Sequence, residues 1–390
     1  MLVPILAAGP ASAEIDAPQA TSWGLATEGF TNNLDRWDAL GWATEQVGGA
    51  MLVGGKFLDV TNGSRTIDQS WIAAFDAGTG EALPWWRPDV GGAVLAIENS
   101  PDGGVFVGGE MGSWGGQQFG ALVKIDPATG DAIAGFDTRV YGGNSVIRDL
   151  RLEADGWLYA VGNFTTASDG GAPRAVQGAI RMNPATGAID WNWLPQIEDG
   201  GVWGVSVSPN RNEVYLAGWF RSVAGQADTD GFVGVSGTDA SVLRDRSTIP
   251  YNTCPGCSNN YRLYDVIATE FDQVWVVGEQ HALFILDEAD LTLDLMHWTG
   301  CDLEQQDSCG RRGGEFQELE RDGNRIYGGG HFWGSHRTDT EIIFSNTPNN
   351  ARTGTPTGRI SAVGAYDVAT GQRDQGFNPY MSGDAGGFAM

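Results

Sequence analysis

Lysine is almost missing from this chain. Of 390 residues only Lys56 and Lys124 are lysines, and 23 Lys and Arg stand against 49 Asp and Glu, for a formal net charge of -26. So little positive charge leaves nothing to neutralise a phosphate backbone or an anionic bilayer, which excludes nucleic acid and an acidic membrane face as partners. Long apolar runs are missing as well. No stretch approaches the roughly 20 apolar residues of a membrane helix, so no transmembrane segment is expected. Amphipathic helical periodicity of useful length is absent, and almost no helix is expected. Histidine and cysteine number four each. No Ser-His-Asp set, His-Glu-x-x-His run or phosphate loop can be picked out, and no one pair of acids stands out among 49 carboxylates as a glycosidase dyad.

What is present in quantity is glycine, 58 residues of it, with aromatics at 10%. Both fall at regular places. "AMLVGGKF", "GVFVGGEM", "WLYAVGNF", "EVYLAGWF", "QVWVVGEQ" and "RIYGGGHF" end their apolar runs at Gly55, Gly109, Gly162, Gly218, Gly278 and Gly330, 52 to 60 residues apart. A second landmark follows in four of the six copies, as "FDAGTGEALPWW", "IDPATGDAIAGF", "MNPATGAIDWNW" and "YDVATGQRDQGF", with Trp86, Phe136, Trp193 and Phe377 six residues after the turn glycine. Copies four and five lack this Thr-Gly turn. A phosphate loop occurs once in a chain, whereas a turn inside a structural repeat recurs, so the turn is read as structural. Asp102-Gly103, Asp155-Gly156 and Asp322-Gly323 signal two-residue hairpins ahead of the glycine-ended strand. Each copy therefore reads as four antiparallel strands, and repetition of such units gives an all-β fold, a β-propeller of six or seven four-stranded blades.

The repeat form "VxxGGxFxxxxG…(A)xxDxxTGxxxxxFxP", with Pro88, Pro195 and Pro379 in its last place and Thr138 departing from it, resembles the delta-sixty class of bacterial propeller repeats over residues 41 to 386. That resemblance implies an exported propeller, often one module of a larger surface protein, and no particular activity. The "AxDxxTGxxxW" turn is also similar to the repeats of pyrroloquinoline-quinone dehydrogenases, without the adjacent cysteine pair of those enzymes. The start, "MLVPILAAGPASAEIDAP", reads as the tail of a secretory signal ending in Ala11-Ser12-Ala13. The expected organisation is a signal remnant at 1–13, an N-terminal extension at 14–40 and a propeller at 41–390. Its repeats fall near 41–90, 91–143, 144–200, 201–260, 261–313 and 314–385, and a further strand begins at 386–390.

Short Asp-Gly and Thr-Gly turns fall on one face; long connections at 57–70, 111–119, 164–176, 220–231, 247–262, 298–314 and 332–358 fall on the other, where binding usually resides. His281, His331 and His336 are the candidate metal ligands there, for zinc or copper, with His297 nearby; the alternative is that they are loop or core histidines. Asp228 and Asp230 form a fragment of a calcium loop, or simply a polar turn. Cys254 and Cys257, and Cys301 and Cys309, read as two local disulfides, with a four-cysteine zinc site as the rival. Trp86 and Trp193 occupy the repeat's aromatic place and are read as packing. Trp85 and Trp191, off that register, with Trp219 and Trp333 on the long-loop side, are the ligand-binding candidates.

These readings converge on an exported, non-catalytic binding or scaffold module, secreted or at the cell surface. It would hold a protein or carbohydrate ligand at the cell surface or in the extracellular matrix. The alternatives are a propeller enzyme, quinone-dependent or acting on polysaccharide, with its site at the axial opening, and a self-assembling subunit of an extracellular filament or surface assembly.

Overall fold

The computed structural model describes residues 23–26, 40–142, 145–227, 229–245, 262–278, 282–298, 316–330, 336–338, 355–356, 363–374 and 376–377. Among these there is no helix, and the strands form antiparallel sheets.

Six principal sheets follow one another along the chain. Sheet one pairs Leu40–Val47, Ala50–Lys56 and Ile72–Asp76 in that order. Sheet two has Val94–Asn99, Val105–Gly109 and Leu122–Ile125; sheet three has Val146–Leu152, Leu158–Asn163 and Ala179–Met182. Sheet four adds a fourth strand to Gly201–Val207, Glu213–Trp219 and Phe232–Ser236, namely Val242–Arg244. Sheet five runs Leu263–Thr269, Gln273–Gly278, Ala282–Asp287 and Leu293–Trp298, and its outer edge is extended by His336–Thr338 and Thr355–Pro356. Sheet six has Phe316–Asp322, Arg325–Gly330 and Val363–Asp367. The expected fourth strand is thus complete only in sheets four and five. Elsewhere it shrinks to a single bridge, Phe75 to Ala82, Ile125 to Ala132, Met182 to Ile189 and Tyr366 to Arg373.

The second strands are apolar without alternation because both of their faces are buried. Val105 and Val107 enter a core shared with sheet one, while Phe106 between them enters a core shared with sheet three. Tyr159 and Val161 likewise face sheet four, and Leu158 and Ala160 face sheet two. Sheets four and five, and five and six, share cores in the same way, so five consecutive pairs are packed face to face.

The Thr-Gly turns lock neighbouring sheets together. The indole of Trp86 donates to Pro127 O at 2.9 Å, in the turn of the following sheet, and Trp193 donates to Ser236 O at 3.0 Å in the same way. Gly130 and Gly187 sit at φ of 78° and 73°, with the preceding aromatic against them, so glycine is favoured there by backbone and by packing alike. Copies four and five keep the turn despite losing its sequence. Ser236 N to Ser241 O and Asp287 N to Thr292 O reproduce the bond from Asp126 N to Asp131 O, with Ala240 and Leu291, both at φ 58°, in the glycine place.

Two further expectations need revision. The Asp-Gly signals of sheets two and three lie in five-residue loops, between Asn99 and Val105 and between Leu152 and Leu158, because the aspartates are tied down by side-chain bonds. Asp102 accepts from Gly104 N and from buried Lys124 Nζ, and Asp155 accepts from Trp157 N and Tyr159 OH. The long connections also carry structure. Asp59–Thr61 pairs with Thr66–Asp68 and with Gly24–Ala26, and Thr166–Asp169 pairs with Arg174–Ala175 and with Thr138–Tyr141. Ile197–Glu198 pairs with Ser222–Val223. His297 takes the core alternative rather than the loop one: it is buried, and its Nε2 lies 2.7 Å from Gly371 O, in the turn of sheet six.

Candidate functional site

Each of the six first strands carries a β-bulge at the same place. Register shifts between Gly41 and Ala43, Val94 and Ala96, Ile147 and Asp149, Val202 and Gly204, Leu263 and Asp265, and Phe316 and Glu318. The extra residues are Trp42, Leu95, Arg148, Trp203, Tyr264 and Gln317. The landmark glycines sit opposite these bulges: Gly55 pairs Gly41, Gly109 pairs Val94, Gly162 pairs Ile147, Gly218 pairs Val202, Gly278 pairs Leu263 and Gly330 pairs Phe316. A Cβ on Gly55, Gly109 or Gly162 would overlap the backbone carbonyl oxygen of Leu40, Ala93 or Val146. The repeated glycine therefore exists to let the first strand kink, and a bulge re-aims the side chain at its apex.

Five of these six side chains line one cavity of about 290 Å³, to which all six first strands contribute, sheet six through Glu318 and Glu320. Trp42, Leu95, Arg148, Trp203 and Tyr264 line it at the bulge layer. Trp203 stacks on Tyr264 with ring centroids 5.2 Å apart and 7° between planes, and the Arg148 guanidinium lies 5.5 Å from the Trp203 ring.

One residue further along, Asp149, Asp265 and Glu318 reach the cavity; two residues beyond these come Glu45, Glu98, Arg151 and Glu320. Part of this acidity stitches sheets together. Asp149 accepts from Val205 N of sheet four at 3.1 Å, and Asp265 accepts from Leu319 N of sheet six at 2.8 Å. Between sheets four and five Gly204 permits the close approach, since a Cβ there would stand 2.7 Å from the Asp265 Cα. Arg151 reaches from sheet three across the cavity to Asp265 at 3.3 Å and Glu320 at 3.7 Å, and donates to Leu319 O. Burial opposes its charge, but the carboxylates of Asp149, Asp265 and Glu320 outweigh that and hold it more firmly protonated.

Asp265, Glu98, Glu45 and Glu318 are shifted toward the neutral form; burial, with Arg151 opposing, raises Asp265 to about 7. Burial, reinforced by Glu45 and Asp149 against Arg151, pushes Glu98 up to about 8. Burial and then Glu320 push Glu45 up to about 7, against a side-chain bond from Asn99. Glu318 is raised well above the usual carboxylate range by burial and then by Asp265. At pH 7 Glu98 therefore keeps its proton and Glu45 is near its midpoint, and a protonated carboxyl donates as well as accepts.

Of the residues singled out from the sequence, Trp219 is half exposed with the Arg262 guanidinium 4.9 Å from its ring, and Trp85 is largely exposed. Trp191 is not free: its indole N–H donates to Asp169 at 3.1 Å, Arg174 lies 4.0 Å over the ring, and it packs on the core between sheets two and three. His336 pairs in register with Trp298 at the outer edge of sheet five. His281, His331, Trp333, Asp228, Cys254, Cys257, Cys301, Cys309 and the segments 1–22 and 386–390 lie outside the described residues. Among the described residues no group of three or more His, Cys, Asp or Glu is placed to hold a metal ion. Neither Trp85 nor Trp191 lines the cavity. The residues that do were missed because a bulge has no residue preference; the signal available was the glycine opposite it.

No family model matches this chain, and no curated protein matches it. Among solved structures it is similar to the crystal structure of the computationally designed Ika8 protein, with 13% identity, a TM-score of 0.44, and coverage of 88% of this chain and 89% of that one.

Proposed function

We propose that the six sheets are the blades of a six-bladed β-propeller built from delta-sixty-type repeats, and that the protein is an exported binding module holding a glycan or protein ligand at the axial opening. The observation that carries this reading is the common bulge: six strands, kinked at one register, present side chains to a single cavity. A purely structural repeat needs the turns and the shared cores but gains nothing from a break in its hydrogen-bond ladder at every first strand. The bulged residues also differ from one repeat to the next, whereas the turn aromatics that lock the sheets stay similar. Variation on a fixed scaffold is how a recognition site is made.

A hydrolytic reading has one observation behind it. Glu98, holding its proton up to about pH 8, shares the cavity with carboxylates paired to Arg151, and an acid beside a carboxylate is the equipment of glycoside cleavage. Thermal shift of the full chain against glycans, peptides, divalent metals and pyrroloquinoline quinone, run beside reducing-end and dye-reduction assays, tests both. Stabilisation by a glycan or peptide without turnover is the expected result. Turnover in either assay replaces the binding module with an enzyme.

A further inference from the structure

Sheets two, three and four each receive an extended segment from the sheet before. Val90, Val140 and Ile197, each four residues after its turn aromatic, pair antiparallel with Trp114, Ala167 and Val223, and all three are buried. The receiving positions are equivalent, five residues after Gly109, Gly162 and Gly218. Sheet one has the same slot at Val60, five residues after Gly55, and there the occupant is Leu25 of the N-terminal strand Gly24–Ala26. The match extends to the backbone. Leu58 N donates to Ala26 O at 3.0 Å, as Thr165 N does to Tyr141 O at 3.2 Å and Arg221 N to Glu198 O at 2.9 Å.

Trp23 supplies the aromatic for this slot. Side chains two apart on a strand share a face, and Trp23 and Leu25 both pack on a cluster of Phe57, Val60, Ile67, Ala73 and Ala82. The Trp23 indole donates to Glu81 Oε2 at 2.8 Å, next to the turn glycine Gly80, much as Trp86 and Trp193 reach the turns of the sheets that follow them. The difference is covalent. In sheets three and four the docked segment leads within a few residues into the first strand, from Tyr141 to Val146 and from Glu198 to Gly201, whereas residues 27–39 separate Ala26 from Leu40. A docked strand joined so distantly to its sheet is the kind of element that copies of a protein exchange at low cost. We propose that the slot on sheet one is a strand-acceptor site that takes the N-terminal segment of a second copy, in the register its own Trp23–Ala26 holds. Strand addition suits it, with main-chain bonds for affinity and a pocket for alternate side chains, here Trp23 and Leu25, for specificity. Charge favours this segment over the rest of the surface: residues 17–27 carry no charged side chain in a chain of net charge -26, so this part approaches another copy with the least repulsion.

The test titrates a labelled peptide of residues 17–30 onto the full chain by fluorescence anisotropy, beside native mass spectrometry of the full chain over a concentration series. Saturable binding is expected, tighter by roughly tenfold or more in the chain carrying Trp23→Ala, whose own strand is loosened, and weaker by at least roughly tenfold when the peptide carries that substitution. Dimers are expected to grow with concentration and to be lost in the Trp23→Ala chain. No binding to the Trp23→Ala chain overturns the acceptor site. Equal binding of the two peptides overturns the register. A chain that is monomeric at every concentration overturns the second copy as occupant. Should Trp23→Ala fold poorly, Leu25→Ala gives the same reading. None of these outcomes touches the axial cavity, so the ligand-binding reading stands or falls by its own assays.

Discussion

At the residue scale, left-handed backbone decides more than composition does. Six equivalent turns place Gly80, Gly130, Gly187, Ala240, Leu291 and Gly371 at φ between 58° and 78°. An L residue in this region costs roughly 1–2 kcal/mol, yet Ala240 and Leu291 accept it. Leu291 is repaid by burial in the core between sheets four and five. Leu291→Gly is therefore expected to destabilise by about 1–2 kcal/mol in denaturant melts, the lost burial exceeding the backbone relief. Ala240→Gly is expected to be neutral or to stabilise by up to about 1 kcal/mol; a loss as large as that of Leu291→Gly would mean the two turns are not equivalent. Gly109→Ala puts a methyl into the Ala93 carbonyl and straightens the bulge, with an expected loss of about 3 kcal/mol or more.

At the scale of the element, the first strands are where pH acts. Glu45 and Glu98 have folded values near 7 and 8 against an ordinary value of 4.5, so between about pH 4.5 and 8 the folded chain binds more protons than the unfolded one. Stability must then fall as pH rises through that window, and the contribution is complete only below it. Asp102, lowered to about 2 by its bond to Lys124, has the opposite sign and matters only under strong acid. Glu98→Gln, permanently neutral, is expected to raise the melting temperature at pH 8 and to leave it nearly unchanged at pH 4.5. Equal effects at both values would show that Glu98 is ionised in the folded protein.

At the scale of the whole molecule, the shared cores and the Arg151 bridge join sheets far apart in sequence. Arg151 ties sheet three to sheets five and six through Asp265, Glu320 and Leu319 O. Removing Arg151 leaves buried Asp265 without its ion-pair partner, so Arg151→Met is expected to cost about 2–3 kcal/mol. Combined with Asp265→Asn, the loss should be smaller than the sum of the single losses, since both changes break one network. Additive losses in urea melts would show that the bridge does not couple the sheets.

Much of this was legible in the chain. Glycine and aromatic spacing announced six antiparallel units and the turns that join them, because a left-handed turn and a strand buried on both faces each restrict the residues that fit. Trp86 and Trp193 were correctly read as packing for the same reason. The cavity was not legible. A bulge accepts any side chain at its apex, so Trp42, Leu95, Arg148, Trp203 and Tyr264 follow no pattern that a single sequence displays. Their meeting depends on six strands distant in sequence being brought side by side. The sequence by itself determined which local shapes the backbone must adopt, through backbone sterics that act within a few residues. Only the tertiary structure decided which acids stitch sheets and which keep a proton, because burial and charge neighbours belong to the assembled molecule.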